Sequence, residues 1–211
     1  ELISSNGNLL LIDTNGTLEL PDTVITIGEG AFANTASDGI VLRKVIIPYT
    51  VKEIKQNAFN GNNTIEEVEF QTKSGKGVTK IGDFAFANCT NLKSIVIPDT
   101  VTDIGSDAFY NCSSLSDLNI PNGVTSIGHR AFCNCESLIE VVIPDGVTKI
   151  LNSMFSGCSN LANVTIPASV TSIRAYAFAG CKSLTNLTLP NKLKSIEMRS
   201  FDSCTSLVSI T

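Results

Sequence analysis

Seven cysteines and one histidine are the residues of this chain best suited to chemistry. Cys89, Cys112, Cys135, Cys158, Cys181 and Cys204 recur every 23 residues, and Cys133 stands apart. Thiolates ligate zinc, but zinc sites need pairs that converge on one point. Only Cys133 and Cys135 are close in sequence, and with one intervening residue they do not make the CxxC spacing. Stacked one coil apart, the ladder cysteines would sit about 5 Å apart at Cα, within reach of a disulfide. Buried free thiols acting as small apolar side chains fit the regular spacing better. Thr35 and Asn62 stand at or near the same slot in the earlier repeats, so sulfur is not required there. Cys133 is the thiol expected to react.

His129 lies between Gly128 and Arg130, with no triad signature around it, and reads as a solvated loop histidine. Asp99, Asn122 and Asp145 follow successive prolines one repeat apart. Their oxygens could hold calcium, although Asp and Asn also simply form turns. The sequons Asn88-Cys89-Thr90 and Asn163-Val164-Thr165 are explained by repeat geometry. No phosphate-cradling glycine loop and no HExxH motif occurs. No enzyme, no metal and no cofactor is expected.

The elements that position these residues are repeats. Phe86, Phe109, Phe132, Phe155, Phe178 and Phe201 are spaced by 23, and Phe32 and Phe59 precede them at steps of 27. An isoleucine column runs from Ile27 to Ile196, and a valine column from Val24 to Val170, closed by Leu193. All seven prolines share one column, from Pro21 to Pro190. A fixed period in the twenties marks a solenoid, whose coils bury their apolar faces only by stacking. One coil reads LxxIxIPxxVxxIGxxAFxNCxx. LxxIxI alternates into a short strand, proline stops it for want of an N–H, and VxxI is a second extended piece. AFxNC turns the corner as one helical turn, with Asn88, Asn111, Asn134, Gly157 and Gly180 where backbone turns left-handed. The glycine after isoleucine is replaced by Lys55, Leu151, Arg174 and Glu197, so positive φ is not required there.

Composition narrows the function. A net charge of −5 argues against nucleic acid, which needs a basic face. No apolar run of about 18 residues is present to span a membrane. Eight of the ten phenylalanines lie on the core column, so they are not a stacking platform for bases or sugars. The chain opens on Glu1 rather than Met, as a chain relieved of a signal peptide would. Residues 1–20 are read as an N-terminal capping β-hairpin between segments 9–12 and 17–20, and residues 21–211 as one continuous solenoid. Four-residue insertions follow Phe32 and Phe70 as surface loops, and the pattern breaks off at Thr211 inside an expected strand.

What remains is a surface. The outward positions of the first strand vary freely between coils. They include Arg43, Lys44, Glu66, Glu67, Glu69, Lys93, Asp117, Asn119, Glu140, Asn163 and Asn186. Charge gathers in the N-terminal half, and small polar residues follow Asn163. Such a face is either a protein-binding surface or an unselected solvated one.

The consensus, repeated this often over roughly residues 17–211, resembles the BspA-like, or Treponema-type, leucine-rich repeat family. Gln71 in place of proline, and Met154 and Ser200 before the phenylalanine, are local departures. The resemblance implies a right-handed leucine-rich-repeat solenoid, β-dominated, of about eight coils with a parallel sheet on the concave face. It also implies a secreted or cell-surface bacterial protein, adhering to a host matrix or cell-surface protein. The chain is then a non-enzymatic monomeric binding module, or else a structural spacer presenting another domain.

Overall fold

Each coil begins with a strand whose apolar residues alternate with polar ones, so one face is buried and the other wet. The computed structural model describes residues 12–211 and the backbone of Leu2–Ile3 and Leu9–Leu10. The outward strand of successive coils is Thr17–Glu19, Lys44–Ile47, Glu67–Phe70, Ser94–Val96, Asp117–Asn119, Glu140–Val142, Asn163–Thr165, Asn186–Leu187 and Ser209–Ile210. Neighbouring strands in this first sheet are parallel and in repeat register, as in Lys44↔Glu67 and Asp117↔Ser94. Leu18, Val45, Val68, Ile95, Leu118 and Val141 point inward and are buried.

Proline then does what its missing N–H dictates. At the slot where Gln71 replaces it, the backbone amide donates to Ile47 O at 2.8 Å, which no proline could do. After the turn, the VxxI segments pair as two-residue parallel strands in a run of five, Thr26–Ile27 to Ser126–Ile127, and a run of three, Lys149–Ile150 to Ser195–Ile196. The glycine of this segment keeps negative φ but fits a close approach. A Cβ on Gly128 would come within 2.3 Å of Ser106 N, and one on Gly105 within 2.5 Å of Asp83 N, whereas Gly28 has open space.

The corner is not the helical turn its sequence suggests. Alternate amides bond the neighbouring coil, Phe86 N donating to Ala108 O at 2.8 Å and Asn88 N to Tyr110 O at 2.7 Å, while those between close turns in their own coil, as Ala87 N to Phe84 O at 3.1 Å. Two left-handed residues per coil bend the chain to make this possible. One is the expected Asn or Gly, with φ of 60° at Asn88 and 77° at Gly157. The other lies two residues before phenylalanine; Gly30, Asn57 and Asp107 suit it, but Phe84, Arg130, Ser153, Tyr176 and Arg199 occupy it too, and those types do not announce it. Among the described residues the only helix is a 3-10 turn, Thr35–Asp38, inside the first insertion. The second insertion is closed by an antiparallel bridge between Lys73 and Lys76.

The core is a set of columns. The phenylalanine rings stack face to face from Phe32 to Phe201, with centroids 5.1–5.6 Å apart and planes within 10°. Phe59 through Phe178 are fully buried, and each contributes on the order of 1.5–3 kcal/mol by leaving water. At the N-terminus, Leu2–Ile3 pairs antiparallel with Leu9–Leu10, Ile12 bridges Leu18, and Thr17–Glu19 joins the first sheet beside Lys44–Ile47. Of the hairpin expected between segments 9–12 and 17–20, the bridge from Ile12 to Leu18 is what the described residues show, and residues 1, 4–8 and 11 lie outside those described.

Candidate functional site

The cysteine ladder has a structural role. Each ladder thiol donates to the phenylalanine carbonyl of the preceding coil, as Cys112 Sγ to Phe86 O at 3.2 Å and Cys158 Sγ to Phe132 O at 3.2 Å. In the second coil Asn62 Nδ2 reaches Phe32 O at the same slot and also donates to Thr35 Oγ1 at 2.6 Å. All seven cysteines are free. Burial pushes the Cys89 thiol up to about 12 and holds Cys112, Cys135 and Cys158 well above the ordinary thiol value. Cys133, the cysteine expected to react, is 8% exposed; burial raises its thiol and the nearby Arg130 only partly offsets that. The expected reactivity is therefore not favoured, because the thiolate is the nucleophile. His129 is not idle: its Nδ1 accepts from Asn152 N at 3.2 Å. Among the described residues no group of three His, Cys, Asp or Glu side chains converges as a metal site.

The corner also holds an ion pair that sequence reasoning missed. Arg130 Nε lies 2.9 Å from Asp107 Oδ1, and its guanidinium lies over the Tyr110 ring at 5.7 Å. Asp107 is 4% exposed, so this pair is shielded on one side. The signal was available: both occupy the same slot, 23 residues apart.

The outward face of the first sheet carries the residues singled out from sequence. In its N-terminal half they meet one another. Glu66 accepts from Arg43 at 3.1 Å and Lys93 at 2.6 Å, and Lys44 lies 2.8 Å from both Glu67 and Glu69. The hydrogen bond from Lys93, aided by its charge and by Arg43, holds the Glu66 carboxyl below the usual range. Hydrogen bonds to Glu67 and Glu69 raise the Lys44 ammonium. Parallel register produces this lattice, since it sets residues 23 apart side by side. Asp117 and Asn119 lie in the next strand but one, and Glu140 beyond them, all exposed. Val96, Ile139 and Val142 add exposed apolar surface, 72%, 53% and 60% accessible.

Asn163 and Asn186 lie in a different setting. They line an open cleft of about 580 Å³ with Thr165, Thr188 and Asn191. The first sheet is interrupted there. Ala162 N donates to Ile139 O and Val208 N to Thr185 O, both at 2.8 Å, but among the described residues the equivalent bond from Thr185 N to Ala162 O is not made. A similar break separates Asp117–Asn119 from Glu140–Val142. Val164 and Ile166 are half-exposed at the cleft, whereas their counterparts Val141 and Ile143 in the preceding coil are buried. Asn191 was not singled out from sequence, because it follows proline in a turn and the strand pattern does not reach it.

The repeats match those of known proteins. The BspA type leucine rich repeat region matches in six copies over residues 14–139, 72–182 and 125–211. A leucine-rich repeat protein of Treponema pallidum (TpLRR) has a similar structure, with a TM-score of 0.71 and 31% identity over 80% of this chain and 78% of that one. A leucine-rich repeat protein of Bacteroides ovatus aligns with a TM-score of 0.59 and 23% identity, over 92% of this chain and 65% of its own. The pneumococcal vaccine antigen PcpA aligns with a TM-score of 0.56 and 18% identity, over 99% of this chain and 64% of its own. The chain thus spans just under two-thirds of the length of these last two. No curated protein matches at the level of sequence. No helix among the described residues is long and apolar enough to cross a membrane. With the family's repeat matched across residues 14–211, the chain belongs to the BspA-type leucine-rich repeat proteins.

Proposed function

We propose that the chain is a non-enzymatic, cell-surface or secreted binding module that engages a host matrix or cell-surface protein through the outward face of the first sheet. The observation that carries this reading is a contrast within each strand. Inward residues stay aliphatic from coil to coil, Leu, Val or Ile, whereas outward residues change freely and expose polar and apolar groups side by side. Selection for folding accounts for the first and leaves the second open to selection for a partner. Family membership supports secretion or surface display. A right-handed winding is what the family's resemblance implies, and a concave first sheet is supported by spacing. The rings stack at up to 5.6 Å, against about 4.8 Å between paired strands, so the coils fan open away from the sheet.

The second reading, a spacer presenting another domain, draws on the self-paired charges: Glu66 is met by Arg43 and Lys93, and Lys44 by Glu67 and Glu69, without a partner. Binding to immobilised matrix proteins and cultured cells separates the two. Replacing Glu66, Glu67 and Glu69 together by glutamine is expected to weaken binding at least tenfold in a protein that stays folded. Unchanged binding by that variant supports the spacer.

A further inference from the structure

We propose that the cleft at the C-terminal half of the first sheet, between Asn163–Thr165 and Asn186–Leu187, binds a neutral glycan segment, free or carried on a protein. The proposal rests on the reading of the first-sheet face as the binding surface and narrows the ligand for this end of it.

Three observations point to an uncharged, hydroxyl-rich ligand. The first is the lining. Its polar side chains are carboxamides and hydroxyls, and no Asp, Glu, Lys, Arg or His is among them. Each carboxamide offers two donors and an acceptor, which match the vicinal hydroxyls of a sugar ring. An anionic or cationic ligand would find no counter-charge here, unlike on the Arg43–Glu69 half of the same face. The second is the floor. Val164, Ile166 and Leu189 are half-exposed at the cleft and Pro190 borders it, so apolar carbon is available to the C–H face of a ring. The third is the missing strand pairing, which leaves Thr185 N and Ala162 O unshared with each other beside the cleft.

The side chains are also free to turn toward a ligand. Among the described residues Asn163 and Thr165 make no side-chain hydrogen bond, while Asn186 holds only neighbours on the surface, Thr185 Oγ1 at 3.2 Å and Ser209 Oγ at 2.7 Å. A volume of about 580 Å³ suits one or two sugar rings. Asn163 and Asn186 each open an Asn-x-Thr sequon, so the protein is to be made in a host that leaves both unmodified.

The test is titration of isotope-labelled protein with neutral mono-, di- and trisaccharides of glucose, galactose, mannose and N-acetylglucosamine, followed by amide NMR. At least one is expected to bind, with shift changes confined to residues 162–191. The N163A/N186A variant, altered only at exposed positions, is expected to lose at least tenfold in affinity with an unchanged far-ultraviolet spectrum. A heparin fragment, as charged probe, is expected not to perturb the cleft. A second arm compares a glycoprotein with the same protein after enzymatic deglycosylation: loss of binding identifies a protein-borne source, whereas binding of the free sugars alone identifies a free one. No response to any neutral sugar at millimolar concentration, shifts outside residues 162–191, or undiminished binding by N163A/N186A would overturn the proposal. Those failures leave the matrix-protein result for Glu66, Glu67 and Glu69 standing, so the two readings fail separately.

Discussion

The two halves of the first sheet share a core and differ on their surface. From Thr17–Glu19 to Asp117–Asn119 five strands pair without a break, and acidic and basic side chains lock across them. From Glu140–Val142 onward the strands pair only two by two, and the outward residues become Asn and Thr around an open cleft. Inside, the phenylalanine stack runs through both halves at 5.1–5.6 Å. A solenoid can therefore carry a locked, charged surface and an open, neutral one on the same scaffold, because each coil's stability comes from its interior neighbours.

The largest expected effect would come from breaking what the halves share. Phe86→Ala and Phe155→Ala, one in each half, should each cost about 3–5 kcal/mol in chemical denaturation. A cost confined to one half would mean that the column is not a common core.

Alkaline pH should then tell the first two coils from those that follow. Thiols held above their unfolded value keep their protons in the folded state and lose them on unfolding. Stability is therefore fully present below the unfolded thiol value, near 9.0, and falls as pH rises from there toward the folded values. Each buried ladder thiol would contribute a loss of about 1.4 kcal/mol per pH unit in that window. The ladder starts at Cys89, with Thr35 and Asn62 standing before it. Hydrogen exchange across that range should show the coils after Cys89 opening before the first two. Simultaneous opening, or no loss by pH 10, would contradict the role given to the thiols.

Gly128→Ala should destabilise by about 1–3 kcal/mol through overpacking, since its Cβ would meet backbone at 2.3 Å, whereas Gly28→Ala should be close to neutral. Thermal melts of the two variants decide this. The smallest effect belongs to the charge lattice. Glu66 titrates below its unfolded value, so its contribution is present above that value and fades as pH falls through the folded one. Raising salt should change stability little, because such exposed pairs are weak. A larger salt effect would make the lattice a structural element.

Much of this architecture was legible in the sequence because a stacked fold repeats its demands. A slot that must hold a buried ring shows phenylalanine each time, and Asn88 or Gly157 marks one left-handed corner. The second left-handed position was hidden, since Phe84, Arg130 and Tyr176 adopt it only through bonds from their amides to the next coil, such as Phe84 N to Ser106 O at 2.9 Å. The same inter-coil bonds explain why the expected helical turn does not form. On the face, sequence identified which residues point outward but not that Arg43, Glu66 and Lys93 pair, which follows from parallel register. The cleft was invisible because a missing hydrogen bond leaves no mark on residue type.

Amide hydrogen exchange at the strand boundaries tests the difference between the halves most directly. Ala162 and Val208, whose amides donate to the preceding coil, should exchange slowly, while Thr185 at the break should exchange at least tenfold faster in the same molecule. Equal protection of Thr185 and Ala162 would mean that the sheet is continuous, and the open half described above would not exist.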